Sequence, residues 1–475
     1  MQSSLSLLIP LALAQFIASY ASSNMNVAIS SIAHDLGSSV SGIQIAITLF
    51  TLTMAALMIP GSKLTDIWGR KRCFILGLIV YGLGALIAAL AQGLPLLIIG
   101  YSLLEGIGSA LMIPPIYILV TVSYSELSAR AKAFGVISGM AGVGAAAGPL
   151  IGGLITTTIS WRASFILQVL VVAGIIILGR RIADAGITGK KPSFDFFGAV
   201  LSALGLLFIV IGILQAGTYG WFVAKESFSI GSTVIIPQGG ISPIWIVIGI
   251  GAILLAWFFV HIRSREKSGK EPLLSTSLFR NKVSNLGLLT QNIQWLILLG
   301  TSFVVSVFLQ VVRGYNAIET GLILTPSTIG ILLSSLLSGR LAKKYAQSTL
   351  IRTGFILTIA GIMLLLFLVT ATSNVLTFVP GLFAMGIGIG IMLTASVNVV
   401  QSSFPENEQG EISGLSRSIS NLGSSLGTAI VGTVLVSSTT GNEGFGLALV
   451  TVIVIGLIGL VAALLLPKNA TSVKV

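Results

Sequence analysis

Long runs of apolar residues follow one another along this chain, and short polar segments separate them. A helix of about 20 apolar residues is long enough to cross the hydrocarbon core of a bilayer. The pattern therefore predicts an all-α polytopic membrane protein. We expect fourteen membrane-spanning helices, at residues 5–33, 41–60, 74–92, 94–122, 134–158, 163–179, 195–216, 242–262, 286–310, 321–339, 351–372, 376–402, 412–437 and 446–466.

The two halves of the chain resemble each other weakly. Residues 135–153 read GVISGMAGVGAAAGPLIGG, and a partial repeat at residues 410–432 reads GEISGLSRSISNLGSSLGTAIVG. Half-repeats of this kind are typical of transporters that are built from two helical bundles around a central site. We expect an N-terminal six-helix bundle, a segment of linkers with two inserted helices, and a C-terminal six-helix bundle, at residues 1–180, 181–285 and 286–475. A hairpin or short loop at residues 217–240 would join the two inserted helices.

Charged residues make up only 8% of the chain, against about 25% in soluble domains, and hydrophobic residues make up 54%. The formal net charge is +12. In the predicted topology all of the 26 Lys and Arg residues except Arg162, Lys225 and Arg313 lie in loops or span ends on one side. Because basic loops stay in the cytoplasm, we expect a multi-pass protein of the cytoplasmic membrane with both termini inside. The basic excess is then a signal of topology, and we expect no binding to nucleic acid.

Few residues can support covalent or metal chemistry. Cys73 is the only cysteine, and the two histidines, His34 and His261, lie in different predicted loops. The sequence has no phosphate-binding loop of the Gly-x4-Gly-Lys-Ser/Thr type, which disfavours ATP as the energy source. We therefore expect no metal, no cofactor and no enzymatic activity. As a separate expectation, the protein is a monomer.

One acidic residue, Glu105, lies deep inside a predicted span, in the sequence YSLLEGIGSALMIPP. A charged side chain at the bilayer centre costs about 3 kcal/mol on insertion scales. Because burial favours the protonated form of a carboxyl group, Glu105 is the best candidate for a proton-coupling residue, which loads a proton on one side of the membrane and releases it on the other. The alternative is a permanently protonated glutamate that hydrogen-bonds as a glutamine would.

The segment GSKLTDIWGRKR between spans 2 and 3 resembles the loop signature of the major facilitator superfamily, Gly-x-Leu-x-Asp-x-x-Gly-Arg-Lys/Arg. Four matching residues form the expected conformational latch, and they are Asp66, Gly69, Arg70 and Lys71. Gly69 permits a tight turn, and Asp66 can pair with a basic group or a helix N-terminus across the interface between the bundles. The alternative is a basic cytoplasmic loop without a latch role.

The segment GAAAGPLIGG in span 5 resembles the antiporter motif of the same superfamily, Gly-x-x-x-Gly-Pro-x-x-Gly-Gly. The matching residues are Gly144, Gly148, Pro149, Gly152 and Gly153. Glycines at helical spacing also permit close helix packing without any transport role. In the family the motif marks exporters. Together with fourteen spans and the segment ISWRASFILQ after span 5, it makes the chain similar to the fourteen-span drug:proton antiporter family.

This resemblance implies the major facilitator fold and a secondary active exporter of hydrophobic or amphipathic small molecules, driven by proton antiport with alternating access. It also implies a substrate cavity that is lined by the first and fourth helices of each half. The polar or adaptable residues on these helices are Asn24, Asn26, Tyr101, Met112, Gln291, Asn292, Gln294, Trp295 and Asn398. For each Asn and Gln the alternative is a hydrogen bond between helices.

The chain departs from the family pattern at three positions of spans 1 and 4. Ala21 replaces the usual aspartate of span 1, and Ser102 and Glu105 replace the usual arginine and glutamine of span 4. Two alternatives therefore stay open: an exporter of lipids or lipid-linked molecules with weak or absent proton coupling, and a membrane receptor or scaffold that does not transport. Arg417 is expected to extend to the membrane surface or to pair with Glu411.

Overall fold

The computed structural model describes residues 4–124, 127–180, 182, 193–230, 233–404, 408–436 and 441–467. These residues form sixteen α-helices: α1 Ser4–Asn24, α2 Ile29–Asp35, α3 Val40–Trp68, α4 Arg70–Ala89, α5 Leu94–Leu97, α6 Gly106–Ser123, α7 Leu127–Thr158, α8 Trp161–Gly179, α9 Phe196–Tyr219, α10 Ile244–Lys267, α11 Lys282–Val307, α12 Ala317–Lys344, α13 Gln347–Leu368, α14 Phe378–Gln401, α15 Gln409–Val436 and α16 Gly441–Leu465. An α-helix satisfies its backbone polar groups internally, as a chain in hydrocarbon must. The predicted all-α polytopic fold is confirmed.

Fourteen of these helices are long, and α2 and α5 are short. Thirteen segments of the described chain are apolar and long enough to cross a membrane. The fourteenth long helix, α15, carries many serines and glycines. Strands β1 Phe228–Ile230 and β2 Thr233–Ile236 pair antiparallel between α9 and α10, which confirms the expected hairpin.

The expectation of a single helix over residues 5–33 was wrong. Helix α1 ends at Asn24, a tighter 3-10 turn spans Met25–Val27, and α2 begins at Ile29. The Ala28 N–H bonds to the Met25 carbonyl at 3.2 Å, in the i to i+3 pattern that replaces regular α-helical bonding. Apolar content predicts where a chain can be buried, but it does not reveal such a change of helical geometry.

The helices form two bundles. Helices α1, α3, α4, α6, α7 and α8 pack together as one, and α11 to α16 pack together as the other. The bundles meet mainly through the pairs α3–α15 and α7–α12, which we call the seam. We call the end of the molecule that carries Gly69 and Arg180 the basic end, and the end that carries α2 and the β1–β2 hairpin the hairpin end.

The inserted helices α9 and α10 lie along the seam. They approach closely, since a Cβ added to Gly251 would lie only 2.7 Å from the Gly205 carbonyl oxygen. Helix α9 contacts both α3 of the first bundle and α15 of the second. At its N-terminus the buried Asp195 accepts a hydrogen bond from the Gly198 N–H at 3.0 Å and lies 2.9 Å from His261 of α10. The inserted pair therefore contacts both bundles at the surface where they meet.

Glycines bring α4 against the α5–α6 segment. A Cβ on Gly108 would lie 2.5 Å from the Tyr81 backbone nitrogen, and one on Gly84 would lie 2.7 Å from the Glu105 backbone nitrogen. Contacts this short allow no side chain, so these backbones can touch only where both positions stay glycine. Tyr81 and Glu105 are thereby held on adjoining helices.

Replacing Gly108 by valine should force α4 and α6 apart. Overpacking of this kind costs about 1–3 kcal/mol, so we expect a lower thermal unfolding midpoint for Gly108→Val in detergent. Gly174 on α8 is the control, because nothing lies within 4 Å of its Cβ position. An unchanged midpoint for Gly108→Val, or an equal loss in Gly174→Val, would contradict the packing described.

Candidate functional site

Glu105 lies at the end of a π-helical stretch, Ile98–Glu105, that joins α5 to α6. Its side chain is fully buried inside the first bundle. A π-helical turn widens the helix and breaks its regular side-chain spacing, and such turns occur frequently at functional sites. Glu105 is thus buried among packed helices, and its role as the proton-coupling residue stays a prediction.

Two tyrosines, Tyr81 and Tyr101, lie close to the Glu105 carboxyl group. Tyr81 and Tyr101 both interact with it electrostatically, and Tyr20 lies close to Tyr81. Neither carboxyl oxygen has a hydrogen-bond partner of normal geometry among the described residues. The proton of the Tyr81 hydroxyl is instead donated to Gln168 Oε1 at 2.5 Å. A buried carboxylate without a partner is strongly disfavoured, so this conformation suits a protonated Glu105.

A hydrogen-bonded group lies beside these tyrosines, toward the hairpin end. The Ser164 hydroxyl of α8 lies 2.6 Å from the Tyr20 hydroxyl and receives a hydrogen bond from Asn24 Nδ2 at 2.8 Å. The Tyr101 hydroxyl donates to the Ala21 carbonyl at 3.2 Å. Sequence reasoning missed Ser164, although its spacing of four residues from Gln168 on an apolar helix was a detectable signal.

The predicted cavity residues of the first bundle are buried in this conformation. Asn24 bonds to Ser164, and Tyr101 stacks on Phe50 with ring centroids 4.6 Å apart. Met112 packs against α4, where a Cβ on Gly77 would lie 2.8 Å from the Met112 Cβ. The Asn26 carbonyl accepts a hydrogen bond from the second bundle.

The corresponding residues of the second bundle differ in exposure. Gln291 bonds to Ser420 at 2.7 Å, Asn292 to the Ile419 carbonyl at 2.9 Å, and Gln294 to Ser396 at 2.9 Å. These are contacts of α11 with α15 and α14. Trp295 is half-buried and Asn398 is exposed. The polar residues of α11 thus form interhelical hydrogen bonds here, and their role in binding a solute stays a prediction.

Contacts across the seam close the hairpin end. Gln310 Nε2 donates to the Asn26 carbonyl at 2.9 Å, and its Oε1 accepts from the Ser30 N–H at 3.0 Å. The Ile318 N–H donates to Thr157 Oγ1 at 3.1 Å. Along α3 and α15, Thr48 and Thr428 pair through their hydroxyls at 3.0 Å.

The antiporter-motif glycines of α7 permit two close approaches. Within the first bundle, a Cβ on Gly144 would lie 2.3 Å from the Phe16 carbonyl oxygen, and one on Gly152 would lie 1.8 Å from Asn24 Oδ1. Across the seam, a Cβ on Gly153 would lie 2.5 Å from the Ala317 carbonyl oxygen of α12. The last glycine therefore contributes to the closure of the hairpin end, while Gly148 meets Ser23 of α1.

The latch segment lies at the basic end. Gly69 adopts φ 101°, a backbone conformation that favours glycine, and starts α4 there. Lys71 Nζ donates to the Arg180 carbonyl within the first bundle at 3.0 Å. The ion pair across the seam is formed by Lys63 and Glu411, with Nζ and Oε1 3.5 Å apart. The Asp66 carboxyl group lies close enough to Lys63, Arg70 and Glu411 to interact with them electrostatically.

The expectation that Arg417 pairs with Glu411 was wrong. Glu411 pairs with Lys63, and Arg417 instead contacts the Tyr117 hydroxyl of α6. Its guanidinium lies over the Tyr117 ring, 4.9 Å from the centroid. Arg417 and Glu411 lie on one helix, and sequence spacing alone could not reveal that the first bundle supplies a partner for each.

A pocket of about 480 Å³ opens at the hairpin end. It is lined by Ser30, His34, Asp35, Thr156, Ser160 and Trp161, among others. Asp35 accepts hydrogen bonds from the Arg162 guanidinium and, at 3.0 Å, from Trp161 Nε1. These two bonds hold the pKa of Asp35 below its usual value, and the bond from Arg162 has the larger effect. No group of three or more His, Cys, Asp or Glu side chains suited to a metal ion occurs among the described residues.

Comparison with known proteins shows the family to which this chain belongs. Residues 11–236 and 227–428 match the model of the Major Facilitator Superfamily. The chain belongs to the Major Facilitator Superfamily. It is 27% identical over 444 residues to the methylenomycin A resistance protein of Bacillus subtilis, and the aligned region covers 94% of this chain and 90% of that protein. It is 26% identical over 396 residues to the multidrug efflux pump LfrA of Mycolicibacterium smegmatis, which covers 83% of this chain and 74% of that protein.

The fold is also similar to a solved structure. The crystal structure of the human organic anion transporter MFSD10 superposes with a TM-score of 0.61, at 13% identity, over 98% of this chain and 100% of that one. In the Major Facilitator Superfamily two helical bundles move against each other around a site near the membrane midplane. The seam contacts at the hairpin end are therefore the ones that must break when that end opens.

The Asp35–Arg162 pair should stabilise α2 against α8 at neutral pH. Because the pKa of Asp35 is lowered in the folded state, this contribution is present above the unfolded pKa of about 3.9 and is lost as the pH falls through the folded value. Asp35→Asn should therefore lower the thermal unfolding midpoint at pH 7, and the difference from wild type should shrink below about pH 4. Glu226→Gln, at an exposed position of the hairpin segment, is the control. A difference that does not change with pH would contradict the ion pair.

The Lys63–Glu411 pair should couple the two bundles at the basic end. Partly exposed ion pairs contribute about 0.2–1 kcal/mol. In a double-mutant cycle with Lys63→Met and Glu411→Gln, we expect the sum of the two single losses in unfolding free energy to exceed the loss in the double variant by about that amount. Lys71→Met with Glu411→Gln is the control cycle, since the recorded Lys71 bond is to Arg180 in its own bundle. Additive effects for Lys63 and Glu411 would rule out a latch at this pair.

Proposed function

We propose that this protein exports hydrophobic or amphipathic small molecules across the cytoplasmic membrane in exchange for protons, and that Glu105 carries the proton. In this proposal the basic end and both termini face the cytoplasm, as basic loops do. A single chain contains both bundles and the whole seam, so we propose that the monomer is the functional unit. The observation that carries the proposal is the buried carboxyl group of Glu105, which interacts with Tyr81 but whose two oxygens lack hydrogen-bond partners of normal geometry among the described residues.

That observation favours a proton carrier over a substitute for glutamine. A glutamate that only replaces a glutamine structurally would be expected to use its oxygens in interhelical hydrogen bonds, as the oxygens of Gln291 and Gln294 accept from Ser416 and Ser396. A carboxyl group that must gain and lose a proton is better left without a fixed partner, because each strong bond would favour one protonation state.

The transport cycle follows from the cost of a buried charge. Glu105 takes up a proton from the hairpin end and holds it while the bundles rock. Net release of that proton then requires a solute-accessible, hydrated surrounding for the carboxylate, which the opposite opening provides. The membrane potential contributes about 2.3 kcal/mol for each charge that crosses 100 mV. Proton entry and solute exit are thus coupled through a single side chain.

The solute would bind between the bundles. When they separate, the half-buried Trp295 and the exposed Asn398 are the predicted cavity residues most readily presented to it. An aromatic ring and an amide on otherwise apolar helices suit an amphipathic molecule. Similarity to a methylenomycin A resistance protein and a multidrug efflux pump supports small-molecule export over the lipid and receptor alternatives.

The proposal predicts that Glu105→Gln abolishes proton-driven export. The measurement uses proteoliposomes with an imposed pH gradient and ethidium as the lipophilic cationic probe. Wild type should accumulate ethidium only when the gradient is present, and Glu105→Gln should reduce this to the level of empty liposomes while still binding the dye. Glu226→Gln should match wild type. Gradient-driven accumulation by Glu105→Gln at the wild-type rate would end the carrier role.

A further inference from the structure

We infer that Glu105 exchanges its proton with the hairpin end through the interior of the first bundle, along a polar relay on α8 that is separate from the seam. The inference rests on the proposed function, because it concerns the route to the proposed proton carrier. The relay begins at the pocket of the hairpin end, continues through Ser164 and Gln168, and ends at Glu105.

The buried face of α8 has an unusual composition. It consists of large apolar side chains except for Ser164 and Gln168, both fully buried. Ser160, which lines the pocket, precedes Ser164 by four residues, and Gln168 follows it by four. Residues at this spacing lie one above the other on a helix. Helix α8 therefore presents Ser164 and Gln168 at successive depths, and Ser160, the extended N-cap residue that precedes the helix, lies at the pocket.

Partners from other helices extend each level. At the depth of Ser164, the Tyr20 hydroxyl and the Asn24 amide both reach its oxygen. One turn deeper, Tyr81 donates to Gln168 at 2.5 Å. Tyr81 in turn interacts with Glu105. The hydroxyls of Ser164, Tyr20 and Tyr81 both donate and accept, so they can pass a proton to or from ordered water, whereas the amides of Asn24 and Gln168 can only orient these groups and the water between them.

Buried polar atoms without a protein partner follow the same course. Among the described residues they include Ser30 Oγ and Thr156 Oγ1 of two pocket-lining residues, Asn24 Oδ1 beside Ser164, Gln168 Nε2, and both oxygens of Glu105. Such atoms are rare in folded proteins and are normally satisfied by ordered water. Their presence in the pocket lining, beside Ser164, on Gln168 and on Glu105 is what a water-assisted relay requires.

The titratable groups around Glu105 are compatible with proton transfer. They are Tyr81 on α4, Tyr101 on the π-helical stretch, and Tyr20 on α1 next to Tyr81. No Lys, Arg, His or second acidic side chain of the described residues contributes to the electrostatics of Glu105. The relay thus carries a proton between the carboxyl oxygen and water, and no counter-ion holds Glu105 ionised.

The separation of routes has a functional consequence. The solute leaves through the seam, which Gln310 and the α7–α12 contact close at the hairpin end. The relay lies inside the first bundle, between α1, α4 and α8. A proton can therefore reach Glu105 while the seam is still closed to solute.

The test is the rate of hydrogen–deuterium exchange at the Glu105 carboxyl group. Infrared spectroscopy of the purified full chain in detergent gives the carboxylic C=O band, assigned by its loss in Glu105→Gln. Mixing with D₂O shifts this band as the proton exchanges. Removing one relay group should raise the barrier by at least the worth of a hydrogen bond, so Gln168→Leu and Ser164→Ala should each slow the shift about tenfold or more. Leu170→Ala, on the exposed face of α8, should leave the rate unchanged.

The outcomes separate the relay from the carrier role. Slow exchange in Ser164→Ala or Gln168→Leu, with the C=O band still present, supports the relay. Exchange at the wild-type rate in both variants overturns the relay and leaves the carrier role intact. A wild-type spectrum without a Glu105 C=O band would overturn the protonated state on which the proposed function depends. Gln168→Asn keeps an amide, so its exchange should be faster than that of Gln168→Leu. This difference separates a role of Gln168 in the relay from an effect on packing alone.

Discussion

A carboxyl group enclosed in a membrane-embedded bundle is stable only while it is protonated or paired. Glu105 has no charged partner among the described residues, and its side chain is fully buried. The cost of ionising it there is far larger than that of a surface acid. Any lasting ionisation of Glu105 therefore has to accompany a change in structure, and the proposed coupling depends on this link between charge and conformation.

The packing that creates this environment depends on glycines. Gly84 and Gly108 let α4 and the α5–α6 segment touch through their backbones, next to the fully buried Glu105. The same device recurs at the seam, where Gly153 meets the Ala317 carbonyl of the other bundle. In lipid, helices associate through close van der Waals contact rather than through the hydrophobic effect. Small residues thus determine both where the acid is sealed and where the bundles can separate.

Much of the fold could be predicted from the sequence, because bilayer thickness fixes the length of each apolar run and half-repeats indicate two bundles. The depth of Glu105 followed in the same way. Its neighbours Tyr81 and Gln168 did not, since periodicity tells which face of a helix is buried but not which helix packs against it. The Lys63–Glu411 pair could not be predicted for the same reason, because it joins residues that lie far apart in the chain. The break at Asn24 was missed because a 3-10 turn leaves the apolar pattern unchanged.

The central claim is that Glu105 gives up a proton when a solute binds. Proton release can be followed directly by adding ethidium to the purified protein in weakly buffered detergent solution with a pH indicator. The account predicts a burst of acid from wild type and none from Glu105→Gln, with ethidium binding retained in both. Equal release from the two proteins would show that another group carries the proton, and would contradict the account.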